Sequence, residues 1–530
     1  MMSLIDNLQN PTLYEHPIDR FEVIETHISW VILTGDFVYK IKKPVNFGFL
    51  DFSTLEKRHF YCEEELRLNR RLAPELYLDV LAIRGSEQHP SFKSDEPVIE
   101  YAVKMKQFPQ EAQLDRLLAA ERLDIELFDK LADKVARFHS IIERVPVDSE
   151  FGNAEHIKQP VIENFQHIRS SMANLSNNNE TIRHELLHKL TNLENWSNKQ
   201  LVALTEDFKL RKSNGFVREC HGDMHLRNIA YWHNEILIFD CIEFNKNFYF
   251  IDVISEIAFL VMDLEDRGRL SFATRFLNQY LHKTGDYEGL KLLRFYKVYR
   301  AMVRAKVAAL RLGQAQLDSP EYKKTYSEFQ QYLALADQFI RPTAPCLLIN
   351  HGLSGSGKSY CTRMLLEKYP ALQLRSDIER KRLFSIDNNQ DTRSEVGQGI
   401  YTTKASRQTY LRLVDIARIL LAEGYSVVID AANLNYDQRR LFIELAKSLY
   451  VPYFILDYQA SAEVLRQRII QRTEEGKDVS DATLGILEHQ IENYVPLAKE
   501  EKPFTIEIDT EQKLDIDRII KHIQNCAIKF

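Results

Sequence analysis

Paired cysteines are missing from this 530-residue chain. Cys62, Cys220, Cys241, Cys346, Cys361 and Cys526 include no C-x-x-C pair, which argues against a zinc site or a disulfide framework and for reduced thiols in cytoplasm. No apolar run reaches the length of a membrane span. Residues 1–7 lack the basic and apolar regions of a secretory signal. There is no internal repeat and no low-complexity tract. A basic excess is lacking too: a net charge of −7 gives no overall attraction to nucleic acid or anionic membrane, and leaves room only for a local basic cleft. The 45% hydrophobic and 27% charged content is ordinary for a soluble globular protein. The length accommodates two or three domains.

What is present is a polar loop, His221-Gly222-Asp223-Met224-His225-Leu226-Arg227-Asn228, followed by Ile236-Leu237-Ile238-Phe239-Asp240. An Asp, an Asn five positions later and an Asp ending a strand have the spacing of a protein-kinase-like catalytic loop and its metal ligand. The chemistry calls for these types. One carboxylate accepts the proton of an attacking hydroxyl, while an amide oxygen and a second carboxylate hold Mg²⁺ against nucleotide phosphates. Turn capping explains Asp223 or Asn228 alone, but not the full set.

Upstream, 28–33 and 37–42 read as strands joined by Thr34-Gly35-Asp36. Lys40 and Lys42 share a face because side chains repeat with period two. The helix at 60–72, stopped by Ala73-Pro74, supplies Glu63, Glu64 and Glu65. A strand lysine held by a helix glutamate binds phosphates in a kinase N-lobe. Lys40 with Glu65 is the preferred pair, with Lys42, Glu63 and Glu64 left open. No glycine-rich loop is present, which argues against a true protein kinase. A strand at 98–106 leads toward a hinge, and helical periodicity follows at 114–118, 127–139 and 161–204, with a polar break at 174–180. Asp252 suits either a brace for the loop or a helix N-cap. Arg300 and Arg304 share a helix face and suit bracing of an acidic centre.

His221-Gly222-Asp223-x-His225-x-x-Asn228 with Phe239-Asp240 resembles the aminoglycoside phosphotransferase and choline kinase group. The resemblance covers about residues 20–310 and implies a bilobal protein-kinase-like fold that phosphorylates small-molecule hydroxyls with ATP or GTP and Mg²⁺. It implies Asp223 as the catalytic base and Asn228 and Asp240 as Mg²⁺ ligands. Nothing in the helical region matches that group's substrate residues, so aminoglycosides do not follow.

Arg341-Pro342-Thr343-Ala344-Pro345 reads as a short stiff linker, dividing the chain into domains at 1–340 and 346–530. Beyond it an apolar strand, 346–350, runs into Gly352-Leu353-Ser354-Gly355-Ser356-Gly357-Lys358-Ser359 and a helical segment. This is the P-loop pattern in its required context. Gly352, Ser354, Gly355, Ser356 and Gly357 close backbone N–H groups around phosphate. Lys358 reaches the outer phosphates and Ser359 binds Mg²⁺. Asp377, after the strand 372–374, is a candidate base with Arg380 one turn on, though Ser376 or Asp377 also suits a helix cap. A buried strand ends in Asp430, the Mg²⁺-side acid. The helix at 463–475 carries Arg466, Arg468 and Arg472, a lid suited to clamping phosphates.

These pieces, with Asp430-Ala431-Ala432-Asn433-Leu434-Asn435 and Arg439-Arg440, resemble the polynucleotide 5′-hydroxyl kinase and zeta-toxin-like P-loop kinases over about 346–510. The resemblance implies Asp377 as base, Arg380 as a substrate contact, Arg468 beside the nucleotide and Arg472 as the lid arginine. Together the halves resemble bacterial proteins described as bifunctional aminoglycoside phosphotransferase/ATP-binding proteins. The expected fold is an α+β bilobal protein-kinase-like domain followed by an α/β doubly wound P-loop NTPase domain. The expected activity is ATP-dependent phosphoryl transfer to an alcohol on a small molecule or nucleic-acid end, without membrane or obligatory protein partner. One active kinase with a regulatory nucleotide-binding domain, a non-catalytic nucleotide-binding scaffold and a nucleic-acid end-processing enzyme are the alternatives.

Overall fold

The computed structural model describes residues 3–48, 50–173, 180–313, 319–386, 402–475 and 483–527, leaving aside the side chains of 173, 180–183, 472–475 and 526–527. The polar break expected at 174–180 lies almost wholly outside these residues, as does the Arg472 side chain. Two compact units emerge: 1–266 with 295–337, and 267–294 with 338–530.

In the first unit, β1 (Glu22–Glu25), β2 (Ser29–Leu33), β3 (Phe37–Lys42), β4 (Tyr77–Gly85), β5 (Pro90–Ser91) and β6 (Val98–Lys106) form an antiparallel sheet. Its order is β1-β2-β3-β6-β4-β5. The alternation of β3 separates two kinds of chemistry. Tyr39 and Ile41 join a core with Ile5, Leu8, Ile32, Ile83 and Ala102. Lys40 and Lys42 point the other way, to Glu65 on the helix Leu55–Asn69. That helix starts at Thr54, whose hydroxyl accepts from the Lys57 N–H, and its Cys62 and Leu66 pack with Tyr77, Val103 and Met105.

Two small sheets carry the polar loop: β7 (Val217–Glu219) with β10 (Phe250–Asp252), and the hairpin β8 (Ile229–Trp232) with β9 (Glu235–Ile238). His233 and Asn234 turn that hairpin with φ of 51° and 63°, the geometry a two-residue turn needs to match strand twist. Behind the loop runs the helix Val253–Asp266, buried at every position from Val253 to Leu264. Over that buried stretch it is apolar all round except for Ser255 and the carboxylates Glu256 and Asp263.

In the second unit, β11 (Leu347–His351), β12 (Leu372–Arg375), β13 (Val427–Asp430), β14 (Tyr453–Gln459) and β15 (Thr505–Asp509) pair in parallel, in the order β12-β13-β11-β14-β15. Every residue of β11 and β13 is buried, as strands covered on both faces must be. The fold is α+β in the first unit and doubly wound α/β in the second.

The units do not follow the expected single cut at 341–345. The segment 267–294 belongs with the P-loop unit, and the reason is the edge of its sheet. β12 has one open side, whose backbone groups need partners. Asn278, on the helix Leu270–Thr284, accepts from the Gln373 N–H at 2.7 Å and donates to the Ala371 carbonyl at 3.0 Å. His282, one turn on, donates from Nε2 to the Gln373 carbonyl at 2.9 Å. Linkers and prolines in the sequence could not reveal this docking. Among the described residues no helix is long and apolar enough to cross a membrane.

Replacing Asn278 by Ala orphans two backbone groups and should lower the stability of the second unit by about 2 kcal/mol, read from its denaturant midpoint. Burial, reinforced by the positive charge of Arg375, pushes the His282 imidazole down to about 3. The unfolded chain takes up that proton near pH 6.5 while the folded chain does not, so stability should fall as pH drops from about 6.5 toward 3, with about 1.4 kcal/mol gone at pH 5.5. His282→Gln should flatten this slope, and an unchanged slope would contradict the assignment.

Candidate functional site

The loop at 220–228 is irregular, so its backbone relies on side chains. Glu256 Oε1 accepts from the His221 and Gly222 N–H groups at 2.8 and 2.7 Å, and its Oε2 accepts from His139 Nε2 at 2.9 Å. Asp263 accepts from the Leu226 N–H at 3.0 Å. Arg300 donates to the Gly222 carbonyl at 3.0 Å and to the carbonyl and hydroxyl of Ser255 at 3.1 and 3.3 Å. Gly222 itself has φ +89°, and a Cβ there would stand 2.6 Å from the Phe248 carbonyl oxygen, so no other residue fits the turn. Arg300 therefore braces the loop. Arg304 contacts the Tyr332 hydroxyl at 3.4 Å, and its charge adds to those that favour the Asp223 carboxylate. Asp252 is a cap and an ion-pair partner: it accepts from the Ile254 N–H at 2.8 Å and from Arg211 at 2.5 and 2.8 Å. The role of loop brace falls to Glu256, one turn further.

His221 accepts the Asp223 N–H on Nδ1 and donates from Nε2 to the Phe239 carbonyl. That pairing requires the neutral Nε2–H tautomer, and burial pushes its pKa down accordingly. Asp223 would be raised by burial, but His225, 3.3 Å away, outweighs this and holds the carboxyl well below the usual range. Asn228 Nδ2 donates to the Asp223 carbonyl at 3.0 Å and to its Oδ2 at 2.9 Å. Both amide hydrogens are thereby used, and Asn228 Oδ1 accepts no hydrogen bond among the described residues. An oxygen left over beside a carboxylate fits a hard cation such as Mg²⁺.

The sheet brings its lysines to the same place. Lys40 Nζ lies 2.8 Å from both Glu65 and Asp240. Lys42 Nζ lies 2.7 Å from Glu65 and also binds Glu243. Glu65 thus serves both lysines, while Glu64 pairs with Arg67 and Glu63 lies 3.5 Å from His59. Burial alone would discharge Lys40; Asp240 and Glu65 more than offset it and raise its pKa. Asp240 adopts φ 61°, and its N–H donates to the Tyr77 hydroxyl at 3.1 Å.

In the second unit, Gly352, Gly355 and Gly357 have φ of +149°, +81° and +85°, conformations that glycine alone adopts readily. A Cβ on Gly352 or Gly355 would come within 2.7 Å and 2.9 Å of backbone carbonyl oxygens. The Gly355, Gly357 and Ser359 N–H groups have no protein acceptor among the described residues, which fits an anion cradle opening the helix Lys358–Leu366. Lys358 donates to the Gly352 and Leu353 carbonyls at 2.8 and 2.7 Å. Ser354 N–H donates to Gln490 at 2.8 Å, and Ser356 is buried beneath the loop. The Ser359 hydroxyl donates to Asp430 Oδ2 at 3.3 Å. Asn350 and Gln373 hold Asp430 at 3.2 and 2.7 Å, a donor set that suits Mg²⁺.

Arg468 donates to the Gly355 carbonyl at 3.3 Å and is fastened to Thr510 at 2.8 and 2.9 Å. Asp377 and Arg380 sit 3.6 Å apart on the helix Ser376–Leu383, which leaves the carboxyl end of β12. Arg466 forms an exposed pair with Glu488. Arg439 is fully buried: its fork binds both Glu501 oxygens at 2.7 and 2.8 Å, and its remaining nitrogen donates to the carbonyls of Asn433 and Leu434 at 2.9 Å. It shapes the turn after β13.

Sequence reasoning missed Glu256, Asp263, His139, Asn278 and Gln373. For the first two a signal existed: carboxylates inside the apolar run 253–264 are costly unless partnered.

A family profile described as an AAA domain matches residues 347–497. An uncharacterized protein of Mycobacterium tuberculosis (strain ATCC 25618 / H37Rv) is 28% identical over 471 residues, spanning 88% of this chain and 89% of its own. A choline kinase from Cryptosporidium parvum Iowa II superposes with a TM-score of 0.39 at 12% identity, over 63% of this chain and 94% of that one. A gluconokinase from Sinorhizobium meliloti 1021 gives 0.25 at 18%, over 36% and 94%. Scores this low add nothing to what the two sheets themselves display.

Glu256→Leu should cost about 3 kcal/mol or more, because it strands two buried N–H groups and His139. Denaturant unfolding measures the loss, and amide exchange at 221–222 should accelerate with it. Slow exchange in this variant would show that the carboxylate is not what holds the turn.

Proposed function

We propose that the chain is a two-headed phosphotransferase, each unit moving the terminal phosphoryl group of a nucleoside triphosphate to a hydroxyl. The observation that carries this reading is that each unit sets a carboxylate and a second oxygen donor beside a lysine, next to a loop whose backbone is separately braced. In the first unit these are Asp223, Asn228, Asp240 and Lys40; in the second, Asp430, Ser359 and Lys358. Phosphoryl transfer asks mainly for positioning and charge, which braced loops deliver. Mg²⁺, held by Asn228 and Asp240 in one unit and by Ser359 and Asp430 in the other, would screen the phosphates from the attacking oxygen.

In the first unit, Asp223 orients the acceptor hydroxyl and receives its proton. With its pKa held low by His225, it is a weak base, so the proton leaves late, as the new bond to phosphorus makes the hydroxyl acidic. Lys40, poised between Glu65 and Asp240, meets the phosphates of the donor nucleotide. In the second unit, the N–H groups of Gly355 and Gly357 cradle phosphate and Lys358 exchanges its loop carbonyls for phosphate oxygens. Asp377 is placed as the acceptor's base, Arg380 as a substrate contact and Arg468 as the support of the cradle. Acceptors of the first unit are small-molecule alcohols; those of the second are alcohols of small molecules or nucleotides.

The test is to incubate the full chain with γ-labelled ATP and an extract of metabolites and RNA. Asp223→Asn should lower one set of labelled products by about 10²–10⁴-fold, and Lys358→Ala should remove a different set. Identical products from wild type and both variants would sink the two-headed reading. Loss of one set alone would leave one catalytic head and one nucleotide-binding unit.

A further inference from the structure

The first unit contains a second concavity, and no residue of the loop 221–228 lines it. It opens to solvent and is walled mostly by apolar and aromatic side chains, as small-molecule sites are. Ile157 and Val161 of the helix Ala154–Ala173 form one side, and Phe295, Tyr296 and Tyr299 of the helix Leu290–Leu312 another. Phe208 meets the rings of Phe295 and Tyr296 at 5.6 and 6.2 Å, and Phe151 stacks on Phe250 at 5.0 Å.

The polar groups on this wall select what it can hold. Tyr296 is only 4% exposed, and its hydroxyl has no hydrogen-bond partner among the described residues. Burial, then the nearby Asp252, pushes its pKa well up, so it is a neutral O–H donor lacking an acceptor. Asp252 is already matched by the Arg211 fork, and His156 at the rim lies 3.4 Å from Glu150. An ion entering here would lose its hydration without gaining a counter-charge, whereas a ring would gain aromatic contact.

The cavity also reaches the catalytic loop. Ser255 lines it, and the Ser255 carbonyl and hydroxyl both accept from Arg300, which donates onward to the Gly222 carbonyl. Glu256, the next residue, holds the His221 and Gly222 N–H groups.

We propose that this cavity is a regulatory site for a neutral flat aromatic molecule carrying a carbonyl or ether oxygen, which accepts from Tyr296 and acts on the loop 221–228 through Ser255 and Arg300. As a regulator of phosphoryl transfer it rests on the preceding reading, but its test does not. Coumarin, a neutral bicyclic lactone, is the probe, titrated calorimetrically into the full chain. It should bind with a Kd of roughly 0.1–1 mM, as fits a ligand of its size. Tyr296→Phe should weaken binding about ten-fold, Ile157→Trp should fill the space and remove binding, and coumarin should slow amide exchange at 221–228 in the wild type. Absence of saturable binding up to the solubility limit, or equal affinity in Tyr296→Phe and wild type, overturns the site. Binding that leaves exchange at 221–228 unchanged overturns the regulation. Thermal melting checks that Ile157→Trp folds; if it does not, Tyr296→Phe decides.

Discussion

Each candidate centre turns on an irregular loop, and that imposes one constraint on everything around it. The turns at 220–228 and 352–357 carry backbone N–H and C=O groups that no ladder or helix can satisfy. Each buried group left alone would cost about 1–3 kcal/mol. The first unit meets the demand with Glu256, Asp263 and Arg300, which sit far from the loop in sequence but contact its backbone directly. The second meets it with Lys358, Gln490 and Arg468, which contact the backbone of 352–355. Much of the buried polar inventory of the protein is thus scaffolding for irregular backbone. The carboxylates that face the chemistry, Asp223 and Asp430, are positioned by these supports and by their own amide donors.

The electrostatics of the first centre follow from how few anions serve its cations. Glu65 is fully buried and lies between two lysines. Burial would raise its pKa, but Lys40 and Lys42 bring it down to about 2. Its charge therefore stabilises the fold above the unfolded carboxylate value, and that contribution is lost progressively as pH falls from there through about 2. Lys42 is buried with Glu65 and Glu243 and stays there. Lys40 is the partner that shares Glu65 with the half-exposed Asp240. A lysine whose second partner sits at a solvent-facing edge can exchange it for phosphate at little cost, whereas one enclosed by two buried carboxylates cannot. This separates the two lysines by their surroundings although they sit on one face of one strand.

Much of this was legible in the chain itself. The loops His221 to Asn228 and Gly352 to Ser359 announce themselves because their chemistry is local: the residues that would touch phosphate and metal lie within a few positions of each other and follow recognisable strands. The period-two pattern of Phe37–Lys42 already set Lys40 and Lys42 apart from Tyr39 and Ile41. The braces were legible only in part: Arg300 suits bracing from its helix face, and carboxylates inside the apolar run 253–264 ask for partners, but the others gave no sign. Asn278 and Gln373 are unremarkable polar residues until a helix lies along an open sheet edge, and Arg439, part of a motif in the sequence, gives no hint there of its buried partner Glu501.

The sequence by itself determined the nature of the two centres, since residue type and short-range spacing dictate which atoms can accept a proton, cradle an anion or hold a cation. Tertiary structure decided the support: which of two lysines is free to trade partners, which carboxylate holds the loop, and where segment 267–294 belongs. The reason is physical. A chemical motif is written in consecutive residues, but the partner of an unsatisfied backbone group is whichever side chain folding brings within 3 Å, and that distance has no counterpart along the chain.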